Sequence, residues 1–155
     1  MSGPRPMRET ITAALKHATK LQDKRRISTL RLVSAAIKDR DIAARTAGKT
    51  QATDAELLDL FAKMIKQREE SQKIYADAGR AELAKQEGEE IEIIREFLPK
   101  QFSNKEMEKA IAAAIAESGA SSVTDMGKVM AALKARYAGQ MDFAKASALV
   151  KSKLS

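Results

Sequence analysis

The side chains best placed to do chemistry in this chain are cations and carboxylates. Lys24, Arg31, Lys38 and Arg45 recur every seven residues. Seven residues are close to two helical turns, so on a helix these cations form one slowly drifting stripe, about 10 Å apart along the axis. Such a row can track a phosphate backbone. The plainer alternative is a solvated face supported by an Asp41–Arg45 i,i+4 pair. Arg25, Arg26 and Arg40 add charge elsewhere on the same segment. A second basic set, Lys128, Lys134, Arg136, Lys145, Lys151 and Lys153, lies off the apolar stripes of the last two helical segments. Gly127 stands early in its segment. The missing side chain there would let a partner helix pack closely, or let a phosphate reach the N-terminal backbone donors.

Catalysis has little to work with. The single histidine, His17, has no patterned nucleophile or metal partner near it, and with no cysteine there is no thiolate site, disulfide or cysteine nucleophile. No phosphate-cradling glycine loop or dinucleotide fingerprint occurs; apart from Gly3 of the leader, the glycines read as isolated helix punctuation. Glu87, Glu89, Glu90 and Glu92 form a carboxylate cluster without a histidine to complete a metal site. No catalytic residue, metal or cofactor is expected. Two of these carboxylates are nevertheless unusual. Glu87 and Glu90 share a helical side with Leu83, Ile91, Ile94 and Leu98, and Arg68 and Gln72 share one with Leu57, Phe61, Met64, Ile65 and Tyr75. If the two helices fold back at Gly79, Arg68 faces Glu90 and Gln72 faces Glu87. A partly buried pair of Arg68 with Glu90 or Glu87 follows, because burying either charge alone is costly. Its expected role is helix register.

The elements that must position these groups are helices. Ala, Glu, Lys, Leu, Gln and Arg dominate, and no segment sustains a period-two alternation. A first helix is expected over Met7–Leu21, with Met7, Ile11, Ala14, Leu15, Ala18 and Leu21 inward. Asp23 caps a second, which runs to Ala47 and stops at Gly48. Thr53-Asp54-Ala55-Glu56 is a capping box opening a third helix that ends at Gly79. A fourth runs from Arg80 to Leu98, stopped by Pro99. Ser103-Asn104-Lys105-Glu106 is a second capping box, and its helix ends near Gly119. Two more follow, one carrying Met126, Val129, Met130, Leu133 and Tyr137 on a stripe, the other capped by Asp142. The fold class is therefore all-α. An extended leader (1–6) precedes a four-helix N-terminal region (7–98) and a small three-helix domain (99–155).

The chain has 155 residues, enough for one domain or a helical unit plus a small second one, and too few for a multi-substrate enzyme with separate nucleotide and acceptor domains. No apolar run approaches the ~18 residues that span a bilayer, and the first residues lack a signal-peptide pattern, so a cytoplasmic protein is expected. The net charge of +7 is unevenly spread. Residues 1–50 carry 12 basic and 4 acidic side chains, residues 51–98 carry 7 and 12, and residues 99–155 carry 9 and 5. A polyanion would meet the two ends. The aromatics sit mostly on core stripes, which argues against base-stacking on single strands and for a folded RNA recognised by shape and phosphate.

Several motifs together resemble the GatB/YqeY family: Ser28-Thr29-Leu30-Arg31-Leu32, Ala35-Ala36-Ile37-Lys38-Asp39-Arg40, Lys63-Met64-Ile65-Lys66-Gln67-Arg68, Phe97-Leu98-Pro99-Lys100-Gln101 and Asp125-Met126-Gly127-Lys128-Val129-Met130. The likeness covers nearly the whole chain. It implies an all-helical protein whose C-terminal part is similar to the tail of the B subunit of the tRNA-dependent amidotransferase, which converts Glu-tRNA(Gln) or Asp-tRNA(Asn) to the amide. That tail is a tRNA-contacting appendage, and catalysis resides in a separate kinase-like body and a glutaminase subunit. No catalytic residue carries over. The Met126–Met130 motif does, Gly139 and Asp142 correspond loosely, and Ala135-Arg136-Tyr137 is less typical. A carbon–nitrogen ligase label with glutamine as amide donor would rest on analogy alone. The expected function is a non-catalytic tRNA-binding module. The alternative is a helical adaptor docking on an amidotransferase or aminoacyl-tRNA synthetase.

Overall fold

The computed structural model describes residues 6–155. Of the leader expected over residues 1–6, only Pro6 lies within them, with φ −52° and ψ 143°, an extended conformation. The described residues form seven α-helices and one short 3₁₀ turn, without a strand. They cluster into two compact units, one ending at Leu98 and the other spanning Pro99–Ser155.

The first unit contains α1 (Met7–Leu21), α2 (Lys24–Thr46), α3 (Asp54–Asp77) and α4 (Ala81–Arg95). Local chemistry sets their ends. Asp23 accepts the Arg26 N–H at 3.2 Å and starts α2. Thr53 and Glu56 bond each other's backbone N–H groups in a capping box that starts α3. After α3, Gly79 takes φ 75° while its N–H bonds Ala76 and the Arg80 N–H bonds Tyr75. That pair of bonds is a Schellman closure, whose left-handed position glycine occupies without a Cβ clash. The turn reverses the chain, so α4 returns along α3. One cluster of apolar side chains unites the unit: Ile11 and Ala18 of α1, Leu30, Val33 and Ile37 of α2, Leu57, Phe61, Met64 and Ile65 of α3, and Ile91, Ile93 and Ile94 of α4. Each large aliphatic or aromatic side chain buried in this way stabilises the fold by about 1.5–3 kcal/mol.

Three local expectations change. Leu21 is 64% exposed, because Ala18 is the last position of α1 to reach the core. Helix α4 stops at Arg95, not at Leu98. Pro99 disfavours helix at the residue before it, and the chain tightens early into i−3 bonds from Phe97 to Ile94 and from Leu98 to Arg95. Gly88 is not punctuation; it lies inside α4, where a Cβ would come within 2.8 Å of the Gln72 Nε2. An interior glycine costs a helix about 1 kcal/mol. Here it makes room for the Gln72 amide across the hairpin.

The second unit contains α5 (Asn104–Ser118), a 3₁₀ turn (Val123–Asp125), α6 (Met126–Tyr137) and α7 (Phe143–Leu154). Ser103 and Glu106 form its capping box, and Asp142 accepts the Ala144 N–H at 2.9 Å. Met107, Ile111 and Ala114 pack with Val129, Leu133, Met141, Ala146, Val150 and Leu154 in a core of their own. The segment leading into α5 is strapped to the α6–α7 loop. Phe102 N–H bonds Gln140 O at 2.7 Å, the Gln140 amide bonds Lys100 O at 3.3 Å, and the Gln101 amide donates to Gly139 O. The Phe102 ring lies 4.9 Å from that of Tyr137, tilted by 54°. The Gln101 position of the Phe97–Gln101 motif thus serves closure of this unit.

Candidate nucleic-acid interface

Helix α2 sorts its cations into two groups. Arg26 Nη1 lies 2.7 Å from Glu96, Arg25 Nε lies 3.7 Å from Glu89, and Arg40 is ion-paired to Glu56. These arginines flank the buried stripe, so they meet the acidic helices α3 and α4. Lys24, Arg31, Lys38 and Arg45 lie on the opposite side and are all exposed. Lys24, Arg31 and Lys38 make no ion pair among the described residues, and Arg45 donates to the Thr50 carbonyl at 3.3 Å. At a 1.5 Å rise per residue the row is roughly 31 Å long. Ala35 and Ile42 lie between its cations, and Ile42 is 58% exposed.

The Asp41–Arg45 support expected for a merely solvated face is replaced by a different partner. Asp41 accepts both Arg8 Nε at 3.2 Å and the Ala52 N–H at 2.9 Å, and Arg8 also donates to Ala52 O at 2.7 Å. This network ties α1, α2 and the entry to α3 together. The Arg8 hydrogen bond is the main reason the Asp41 carboxyl sits below its ordinary value, and Arg45 contributes only at longer range. Nothing in the spacing of Arg8 pointed to it.

The C-terminal cations are arranged differently. Lys128, Lys134, Arg136, Lys145, Lys151 and Lys153 are all exposed. Lys128 and Lys134 are six positions apart, which turns them about 120° away from each other around α6. The same spacing separates Lys145 from Lys151 on α7. The set therefore fans over the solvent arc of each helix and does not line up. Arg136 is engaged by Glu117 at 2.5 Å, and that hydrogen bond raises its already high pKa. The packing role expected for Gly127 is corrected: the residue is exposed and a Cβ there would meet nothing within 4 Å. The start of α6 is also less open to an anion than expected. Asp125 N–H and Met126 N–H already bond Ser122 O and Val123 O. The Asp125 carboxylate stands at the same turn, accepts the Ser121 N–H at 3.1 Å, and is held below its ordinary pKa first by that bond.

The carboxylate cluster of α4 disperses into separate partnerships. Glu92 pairs with Arg95 at 2.7 Å, Glu89 with Arg25, and Glu90 with Arg68 at 3.3 Å. No group of three or more potential metal-ligating side chains assembles among the described residues. His17 is exposed on α1. The Arg68–Glu90 pair is part-buried between α3 and α4, and Arg68 also donates to Met64 O at 3.1 Å. Glu87, beside it, has its pKa raised, first by burial and then by the Glu90 charge, with Arg68 opposing. A carboxyl whose pKa rises on folding contributes stability that is complete below its unfolded value, ordinarily 4.5, and lost as pH climbs through the folded value. Glu87→Gln should therefore melt at a higher temperature than the parent at pH 7, and the difference should close at pH 4. Thermal melts at the two pH values check this.

A family model described as Yqey-like protein matches residues 8–154. The chain belongs to the YqeY-like family. The match runs from the first helix of the first unit to the last helix of the second, so both basic surfaces lie inside it. No curated protein matches the chain. No helix among the described residues is long and apolar enough to cross a membrane.

Proposed function

We propose that this YqeY-like chain is a non-catalytic tRNA-binding accessory module, acting in the cytoplasm beside tRNA-dependent amidation. The single observation that carries the reading is the division of cations on α2. Three arginines are neutralised by carboxylates of the same unit, whereas Lys24, Arg31 and Lys38 stand in one exposed row without ion-pair partners among the described residues. A protein that needed only solubility could scatter those charges. A slowly drifting row of evenly spaced cations suits a polyanion with regularly spaced charge. The exposed lysines of α6 and α7 offer further phosphate contacts on the second unit, as single charges.

The second reading is a helical adaptor for an amidotransferase or synthetase. Exposed aliphatic side chains favour it, chiefly Leu21, Ile42 and Ile74. Binding of total tRNA across a salt series separates the two. Phosphate contacts by Z cations give a log–log slope near −0.7Z to −0.9Z. With the α2 row engaged, the slope should be about −3 or steeper. Binding that is absent at low salt, or flat with salt, would sink the RNA reading and leave the adaptor.

A further inference from the structure

Between α2 and α4 lies a groove of about 470 Å³, lined by Arg25, Ser28, Arg31, Leu32, Gln86 and Glu90. That volume is in the range of sites for small organic groups, roughly 300–1,000 Å³. One wall belongs to the cation row through Arg31. Leu32 adds an apolar surface that is 48% exposed. The remaining groups are the Arg25 guanidinium, ion-paired to Glu89 at 3.7 Å, the Ser28 hydroxyl and the Gln86 amide, above a carboxylate. Glu90 is only 7% exposed and pairs with Arg68 through Oε2. The floor thus presents a carboxylate that accepts hydrogen bonds, and the cations stand on the walls. A flat neutral group with amine hydrogens on its edge would be accepted, while its attached phosphate stayed at Arg31.

We infer that the α2–α4 groove receives one unpaired, amine-bearing nucleobase, adenine, cytosine or guanine, from a loop of the RNA whose backbone follows the α2 row. The inference rests on the RNA reading above and adds what the row lacks, a reason to prefer looped RNA over plain duplex. Cytosine N4 and adenine N6 donate to a carboxylate or amide oxygen, and an amide can meet adenine by two bonds. Uracil flanks its single N–H with two carbonyl oxygens, which a carboxylate repels. In a continuous duplex every base is stacked and paired, so none can enter.

The test uses the full chain and three RNAs: one stem closed by a loop of adenosines and cytidines, the same stem closed by uridines, and the stem as a blunt duplex. The parent protein should bind the first about tenfold more tightly than the other two. The variant Leu32→Ser/Gln86→Ala, with an unchanged unfolding midpoint, should lose that preference. Its affinity for the duplex and its salt slope should stay as in the parent, because no phosphate contact is removed. Equal binding of all three RNAs by the parent overturns the groove assignment while leaving the row intact. So does a variant that weakens the duplex as much as the loop. Failure of the parent to bind any of the three at low salt overturns the RNA reading and the groove with it.

Discussion

Replacing Arg68 with methionine should lower the unfolding free energy by about 3–5 kcal/mol in a urea titration. The residue lies where the shared core ends on both arms of the hairpin. Ile65 of α3 and Ile91 of α4 are the core members nearest to it on each helix. Beyond them Glu90 is 7% exposed, and Arg68 is the cation bonded to it. Removing the guanidinium leaves a desolvated carboxylate without a partner, and also removes the charge that offsets the repulsion between Glu87 and Glu90. Both consequences raise the cost of ionised carboxyls, so the deficit should narrow in acid. Adding Glu90→Leu should recover most of the loss, since an apolar pair of similar volume is often as stable as a buried ion pair. If Arg68→Met alone costs under about 1 kcal/mol, the pair does not hold the hairpin in register.

That pair also shows how much was legible beforehand. The helical class, the capping boxes at Thr53 and Ser103, the Asp23 cap and the reversal at Gly79 depend on residues within a few positions of each other. Such signals survive in one dimension. The facing of Arg68 and Glu90 could be reached because a tight reversal fixes the register of both arms from a single glycine. What escaped depends on distant partners. Asp41 was set beside Arg45, four residues away, but its geometry is satisfied by Arg8, 33 residues away, and by the Ala52 N–H. Gln22 closes α1 with φ 56°, a conformation that few side chains other than glycine adopt, so no composition signal marks it. Nothing near Gly88 in the sequence accounts for its missing side chain, because the reason, Gln72, arrives from another helix.

The candidate site was less legible than the fold. A seven-residue spacing places four cations on one line, but spacing cannot say which cations the rest of the chain will neutralise. The contrast between a basic first third and an acidic middle held part of that information. The carboxylates of α3 and α4 take Arg25, Arg26 and Arg40, leaving the row outside. In the C-terminal unit, distance from the apolar stripe identified exposed lysines correctly without showing that they diverge around α6 and α7. Exposure follows from periodicity, whereas convergence on one ligand needs the angle between side chains.

The row then makes the larger functional prediction. Changing Lys24, Arg31, Lys38 and Arg45 together to glutamine should weaken tRNA binding about a thousandfold at 0.1 M salt, and the effect should vanish as salt approaches 1 M. The size follows from counterion release. Each phosphate contact contributes about 0.7–0.9 to the log–log slope, so losing four should flatten it by about 3. The same substitution on Arg25, Arg26 and Arg40 should behave in the opposite way. Those side chains are occupied by Glu89, Glu96 and Glu56, so their loss should lower stability while leaving the salt slope nearly unchanged. Lys128→Glu/Lys134→Glu supplies the comparison for the second unit. Because those two lysines point apart, one phosphate chain cannot follow both along a line, and their reversal should change the slope by less than the row does. A slope unaltered by the α2 substitutions and abolished by the C-terminal ones would move the interface to α6 and α7. The division of charge on α2 would then be a matter of packing alone.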